Sequence, residues 1–233
     1  MESTAGRASR PQAAVATAVI LFGPPGSGKG TQAKLLQTCM NATHISTGDI
    51  LRHHIQSGDA IGQEVRAIMD AGLLVPDELV NHLVEHTLAE TNGGRGVILD
   101  GYPRTLAQAK VLEGMLERRG FRPLVVYLKV DYNEIISRLC GRRLCPLCGT
   151  LYNVFTNPPK VDEICDLDGT GLVTRPDDTE SVIRHRLEEY EFQTRPLLDY
   201  FRASTIAYRE VDAGAGTPES IASEICGLVA RDR

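Results

Sequence analysis

Residues 23–31 read Gly23-Pro24-Pro25-Gly26-Ser27-Gly28-Lys29-Gly30-Thr31, between an apolar run at 18–22 and a helical pattern at 28–36. A loop without bulky side chains lets successive backbone N–H groups face a phosphate, and the start of a helix adds partial positive charge. The stretch satisfies G-x-x-x-x-G-K, except that Gly30 replaces the usual Ser or Thr and the hydroxyl follows at Thr31. A glycine turn without a ligand is the alternative, but strand, lysine and helix together favour phosphate binding.

The composition is typical of a soluble enzyme with one core and one or two small insertions: 233 residues, 42% hydrophobic, net charge −5. The mildly acidic balance, without lysine–arginine runs, argues against a nucleic-acid partner. No apolar stretch approaches the ~20 residues that cross a bilayer, and the start lacks a secretory signal. We therefore expect a cytoplasmic protein without membrane contact. Residues 1–15 are predicted to be a flexible tail; a transit peptide is the alternative, which Glu2 disfavours.

Short apolar runs alternate with longer helical patterns along the chain, which predicts an α/β fold with a parallel sheet. Strands are predicted at 16–22, 43–45, 96–99, 124–130 and 208–211. Helices are predicted at 28–36, 48–57, 61–71, 77–91, 106–119, 132–139, 177–201 and 218–229. The stretch 142–175 has no helical period and contains three cysteines, paired prolines and a glycine-rich turn, so we expect a small inserted module.

A second set of phosphate-handling residues follows the strand at 96–99. Asp100 ends that strand, and in a P-loop protein a carboxylate there suits an acid that holds Mg²⁺ through water. Capping of the next helix is the alternative role. Arg104 and, one helical turn later, Gln108 fit a second, smaller nucleotide, because guanidinium forks match phosphate oxygens and an amide can pair with an adenine edge. The stretch 46–52 fits the same nucleotide.

Cys145-Pro146-Leu147-Cys148 and Cys165-Asp166-Leu167-Asp168 form two knuckles whose spacing suits tetrahedral Zn²⁺. Three thiolates and one carboxylate would complete a structural site. A redox-active Cys145–Cys148 pair and a lid without metal are the alternatives. The remaining cysteines, Cys39, Cys140 and Cys226, show no partner spacing and are expected to be core residues or ordinary thiols in a reducing compartment.

His82-Leu83-Val84-Glu85-His86 matches the H-x-x-E-H motif of a metalloprotease class. We reject that function because both histidines are predicted to lie on the solvated face of a peripheral helix.

The glycine loop, the stretches 47–52 and 100–104, and the later arginines resemble the adenylate kinase family, in its long-lid bacterial type. The resemblance runs from about Val19 to Val211. It implies a P-loop NTPase-type three-layer fold with a five-stranded parallel sheet, usually in a monomer. It also implies a core at 16–45, 76–137 and 177–233, an AMP-binding segment at 46–75 and a lid at 138–176. The implied reaction is reversible, Mg²⁺-dependent phosphoryl transfer, ATP + AMP = 2 ADP.

The resemblance also assigns site residues. ATP would contact Gly26, Ser27, Gly28, Lys29, Gly30, Thr31, Arg138 and Arg142. AMP would contact Thr47, Arg52, Val75, Gly101, Arg104, Gln108, Arg175 and Arg186. Lys29, Arg104, Arg142, Arg175 and Arg186 would stabilise the transferring phosphoryl group, while Asp177 and Asp178 would orient lid arginines on closure. For each arginine, an ordinary surface ion pair is the alternative.

No general base is assigned, because the second pKa of a phosphate lies near ~6 and the attacking oxygen of AMP is already anionic. Two alternatives to this function stay open. The first is a related kinase that uses GTP as donor or another nucleoside monophosphate as acceptor. The second is a nucleotide sensor without catalysis, which the intact arginine set disfavours.

Overall fold

A computed structural model describes residues 15–91 and 95–232 of the chain. Its main sheet consists of β1 (Thr17–Phe22), β2 (Thr43–Ser46), β3 (Val97–Asp100), β4 (Arg122–Lys129) and β7 (Ala207–Asp212). These five strands are parallel and lie in the order β2-β3-β1-β4-β7. An antiparallel pair is formed by β5 (Arg142–Leu144) and β6 (Leu151–Asn153). Nearly all of the predicted tail at 1–15 lies outside the described residues.

The helices occupy most of the gaps between strands. They are α1 (Lys29–Met40), α2 (Thr47–Ser57), α3 (Ala60–Asp70), α4 (Asp77–Glu90), α5 (Leu106–Arg118), α6 (Tyr132–Cys140), α7 (Glu180–Glu189), α8 (Leu197–Ala203) and α9 (Pro218–Arg231). Within the described ranges, no helix is long and apolar enough to cross a membrane.

Strand β1 is buried along its whole length, because helices cover both faces of the sheet. Its side chains alternate between two apolar clusters. Ile20 and Phe22 belong to the cluster under α4, α5 and α8, whereas Val19 and Leu21 belong to the cluster under α1 and α9. The predicted α/β three-layer fold with a five-stranded parallel sheet is confirmed.

The carboxyl ends of three neighbouring strands meet at one edge of the sheet. The glycine loop follows β1, and Asp100 at the end of β3 is in register with Ser46 at the end of β2. Leu21, the penultimate residue of β1, pairs with Asp100 from the other side. Ligands of open α/β sheets bind outside this edge, so the topology places the phosphate-handling residues together.

The prediction of a single helix at 177–201 is wrong. The structure has a 3₁₀ turn at Pro176–Asp178, then α7, a π-helical turn at Tyr190–Thr194, and α8. Pro196 explains the break, because proline cannot donate the helical hydrogen bond and its ring clashes with the preceding turn. The Arg195 N–H accordingly donates to Tyr190 O, five residues back, at 2.8 Å.

The expectation that Cys39 and Cys226 are ordinary thiols is also wrong, since the structure joins them in a disulfide. The two residues are 187 positions apart, but α1 and α9 pack side by side and bring their Cα atoms to 6.7 Å. Helix packing, which no spacing along the sequence reveals, makes this pair. Cys140 is a free, exposed thiol as expected.

The segment 138–176, which we call the lid segment, starts on α6 and continues as β5, β6, short bridges and turns. Its own apolar core is a cluster of four side chains, contributed by Cys145, Tyr152, Cys165 and Leu172. The absence of a helical period over 142–175 is thus matched by the observed strands and turns.

Candidate active site

The glycine loop after β1 is shaped by glycines that adopt left-handed backbone conformations, with φ +80° at Gly26 and +94° at Gly28. Lys29 begins α1 and folds back over the loop, where its ammonium donates to Gly23 O at 2.8 Å and Pro24 O at 2.9 Å. Ser27 is buried, and its Oγ has no hydrogen-bond partner among the described residues. The loop therefore presents an unused hydroxyl and an ammonium group where an anion would bind.

Gly30, which departs from the general motif, faces the carboxylate of Asp100. A Cβ at position 30 would lie 3.3 Å from Asp100 Oδ2, closer than side chains usually approach. The glycine thus leaves room for the carboxylate beside the loop. His44 Nε2 lies 3.4 Å from the same Oδ2 atom. Sequence reasoning missed His44, because its proximity follows only from the pairing of β2 with β3.

Asp178 joins two of the predicted arginines. Its carboxylate is fully buried and accepts two hydrogen bonds from Arg142, of which Nε to Oδ2 is 2.7 Å. Arg186 Nη1 lies 3.2 Å from Asp178 Oδ1 and 2.9 Å from Asp177 Oδ2. Arg175, which precedes the 3₁₀ turn, has a buried Nε without a hydrogen-bond partner in the part of the chain described.

The cations of the site are half-buried and are short of nearby negative charge. Burial, together with the neighbouring arginines, lowers the pKa of Lys29 to about 7, although Asp100 acts in the opposite direction. Burial likewise lowers the pKa of Arg104 and of Arg175 to about 10, with like-charged arginines adding to the effect. The pKa of Arg186 is lowered for the same reasons. A polyphosphate would supply the missing charge.

A second cavity lies between α2, the turn after α3 and the start of α5. Its lining includes Thr47, Arg52, Val75, Gly101, Arg104, Gln108 and Arg186, seven of the eight residues assigned to AMP. Thr47 Oγ1 donates to Gly101 O at 2.9 Å. Gln108 Oε1 accepts from the Arg104 N–H at 2.7 Å, and its Nε2 donates to Asp77 Oδ1 at 2.7 Å. Asp77 fixes the orientation of the Gln108 amide, and sequence reasoning did not identify it.

Arg138 lies at the other end of the site. Its Nη2 donates to Glu134 Oε1 at 2.5 Å and to Ala213 O, in the loop after β7, at 2.7 Å. A cleft of about 430 Å³ opens beside this loop and is lined in part by Glu134 and Gly214. The arrangement ties α6, where the lid segment begins, to the edge of the sheet.

The two knuckles of the lid segment bring Cys145, Cys148, Cys165 and Asp168 together, with their ligand atoms all within 4.8 Å of one another. Cys148 Sγ lies 3.6 Å from Cys165 Sγ, and Cys145 Sγ lies 3.3 Å from Asp168 Oδ2. Tetrahedral zinc with Zn–S bonds of ~2.3 Å requires sulfur atoms ~3.8 Å apart. The donor set and its spacing therefore fit Zn²⁺.

His82 and His86, from the rejected metalloprotease motif, are both exposed on α4, as expected.

The parallel sheet, the glycine loop at its carboxyl edge and the lysine that starts α1 define a P-loop nucleotide-binding protein. The family model for adenylate kinase matches residues 21–206, so the chain belongs to the adenylate kinase family. An adenylate kinase of Methanococcoides burtonii is 45% identical to this chain over 210 residues, which cover 89% of this chain and 96% of that kinase. An adenylate kinase of Thermotoga maritima is 45% identical over 206 residues, covering 88% of this chain and 93% of its own.

Proposed function

We propose that this chain transfers the γ-phosphoryl group of ATP to AMP, reversibly and with Mg²⁺, and so forms two molecules of ADP. The observation that carries the proposal is the cluster of half-buried cations Lys29, Arg104, Arg175 and Arg186, of which Arg104 and Arg186 line the second cavity. Membership in the adenylate kinase family supports the same reaction.

The cluster suits phosphoryl transfer because the transferring group spreads negative charge over three oxygens, and catalysis consists mainly of alignment and fixed positive charge. Lys29 would neutralise the group from the glycine loop. Arg104 and Arg186 would hold it from the AMP side, while Arg142 and Arg175 would approach from the lid segment. Asp177 and Asp178 would act as positioning residues, since they hold Arg186 and Arg142 in place. AMP is already anionic and needs no general base.

Donor and acceptor would bind at opposite sides of the cluster. The loop residues Gly26, Ser27, Gly28, Gly30 and Thr31, together with Arg138 and Arg142, would bind ATP. AMP would occupy the second cavity, with its adenine beside Gln108 and Val75 and its phosphate beside Arg52 and Arg104. Because Asp77 and the Arg104 N–H hold the Gln108 amide, one N–H donor and one acceptor lone pair of that amide stay available for a base.

Two metals fit the residues present. Mg²⁺ bound with ATP would neutralise phosphate charge, and Asp100 would hold it through water at the end of β3. Zn²⁺ bound by Cys145, Cys148, Cys165 and Asp168 would be structural, since four protein ligands leave no open position.

The family resemblance also supports a cytoplasmic monomer, which sedimentation and cell fractionation can test.

The test is an assay of the purified protein with Mg-ATP and each of AMP, GMP, CMP and UMP. Of the four acceptors, we expect only AMP to give ADP. The activity should be abolished in Lys29→Ala and retained in Lys110→Ala, which removes an exposed lysine on α5. Comparable transfer to CMP or UMP would assign the chain to another acceptor class, and GTP in place of ATP tests the donor. Nucleotide binding without transfer would overturn the proposal in favour of a sensor.

A further inference from the structure

A lysine on α1 contacts the lid segment. Lys34 Nζ donates a hydrogen bond of 2.8 Å to the carbonyl oxygen of Gly149, 115 residues further along the chain. Helix α1 starts at the glycine loop, and Gly149 directly follows the knuckle residue Cys148. We propose that Lys34 is a positioning residue that holds the first knuckle against the P-loop helix and so favours the closed lid. This inference rests on the proposed phosphoryl transfer.

The turn around Gly149 fixes the acceptor of this bond. The Gly149 N–H donates to Cys145 O at 3.0 Å, and the Cys145 N–H donates to Thr150 O at 2.9 Å. Gly149 has φ +70°, and a Cβ there would meet no atom within 4 Å. The glycine is therefore required by its backbone conformation and not by lack of space. Because the knuckle turn holds the peptides on both sides, the Gly149 carbonyl has a defined direction for Lys34.

The charges of the two partners are complementary. The knuckles place three cysteines and one aspartate within one small cluster. With zinc bound to three thiolates and a carboxylate, the cluster would carry a net charge of about −2. An ammonium group on the facing helix is attracted to this charge in addition to the carbonyl dipole. Lys34 thus faces the part of the lid segment where a cation stabilises contact.

The expected effect is modest, because the bond is exposed to water. A single hydrogen bond from an exposed charged group changes an equilibrium by about 2- to 10-fold. A lid that closes less well should raise the KM for Mg-ATP by that factor and leave the KM for AMP unchanged. It should also raise the ratio of ATP hydrolysis to transfer, because a closed lid excludes water. The kcat should stay equal or rise, since lid opening often limits turnover.

The experiment compares Lys34→Met, which removes the donor, with Lys34→Arg, which keeps a cationic donor, and Lys110→Met, which removes a distant exposed lysine. We expect the KM for Mg-ATP to rise 2- to 10-fold in Lys34→Met only, with rescue in Lys34→Arg. Hydrogen exchange of the amides of Cys145 and Gly149 should be faster in Lys34→Met without nucleotide. Unchanged KM and exchange, or an equal effect in Lys110→Met, would overturn the inference.

The exchange measurement separates the two proposals. If the wild-type protein transfers no phosphoryl group, the proposed function fails, yet exchange at the knuckle amides still reports whether Lys34 holds the lid segment. If transfer occurs and neither readout responds to Lys34→Met, only the role of Lys34 fails.

Discussion

The core and the lid segment are held together in different ways. The core buries two large apolar clusters against the faces of a parallel sheet. The lid segment buries a cluster of four side chains, two of which are cysteines, while Leu147 and Leu167 within the knuckles are 74% and 73% exposed. Apolar burial can stabilise the first region, whereas the second is too small to fold on that basis.

With so little apolar burial, the lid segment has to be held by a few specific polar contacts. The lid segment contains the knuckle cluster, and it is joined to the core by the pair between Arg142 and the buried Asp178 and by the contact of Lys34 with Gly149. None of the residues in these contacts belongs to the two apolar clusters of the core. The two regions should therefore respond separately to targeted changes.

The largest effect on one region alone is expected when the knuckles of the lid segment are disrupted. Removal of zinc by a chelator, or Cys148→Ser, should unfold the lid segment, because structural zinc contributes ~10 kcal/mol or more to the folding of small metal domains. Amides such as those of Cys165 and Gly169 should lose protection from hydrogen exchange, while amides of β1 and β4 retain it. Phosphoryl transfer should be lost with the lid segment.

Cys140→Ser is the matched control, since Cys140 is an exposed free thiol outside the cluster. Identical exchange and melting in Cys148→Ser and Cys140→Ser would show that the knuckles hold no structural metal.

Reduction of the disulfide between α1 and α9 should change the stability of the core and leave the lid segment unchanged. Reduction of the Cys39–Cys226 disulfide should lower the free energy of unfolding by up to ~5 kcal/mol, because the cross-link closes a loop of 187 residues in the unfolded chain. Chemical denaturation with and without reductant measures the change, and Cys39→Ser should be insensitive to reductant. Exchange of the knuckle amides should not respond. A reductant effect that persists in Cys39→Ser would mean that the disulfide is not its source.

The knuckles and the disulfide also show where sequence reasoning succeeds and where it fails. Cys145 and Cys148 are three residues apart, and Cys165 and Asp168 repeat that spacing, so the pattern is visible along the chain, and the structure brings the four residues together. Cys39 and Cys226 meet only because α1 and α9 pack side by side, which is a tertiary contact. The same limit applies to Asp77 and His44. Each contacts a predicted site residue, Gln108 or Asp100, across elements that the sequence cannot align.

The elements themselves were largely predictable, because buried parallel strands are continuous apolar runs and the glycine loop marks the start of α1. The helix at 177–201 was the exception. Its apolar periodicity continues through Pro196, but the backbone cannot, so α7 and α8 are separated by the π-helical turn. The predicted AMP residues, by contrast, were assigned by the family resemblance, and seven of the eight line one cavity.

A smaller effect is expected at Asp178, where the core pairs with Arg142 of the lid segment. Asp178→Asn removes the charge that holds Arg142 and Arg186, so it should lower kcat about 10- to 100-fold with little change in the KM for AMP. Glu180→Gln, which removes an exposed acid paired with Arg184, is the control and should retain wild-type turnover. Steady-state kinetics of both variants decide the point. A turnover number in Asp178→Asn equal to that of Glu180→Gln would contradict the positioning role.

The smallest effect concerns Lys29, where the core meets the bound nucleotide. With a pKa of about 7 in the free protein, the side chain of Lys29 is mostly the neutral amine at pH 8.5. A bound polyphosphate favours the charged form and raises this pKa, so binding should take up close to one proton at pH 8.5 and fewer below pH 7. The affinity for ATP should accordingly fall as pH rises above 7, by at most tenfold per pH unit. Calorimetry in buffers of different ionisation enthalpy measures the uptake. Lys29→Arg keeps its charge over this range, so any binding that it retains should show no uptake; equal uptake in both proteins would assign the proton to another group.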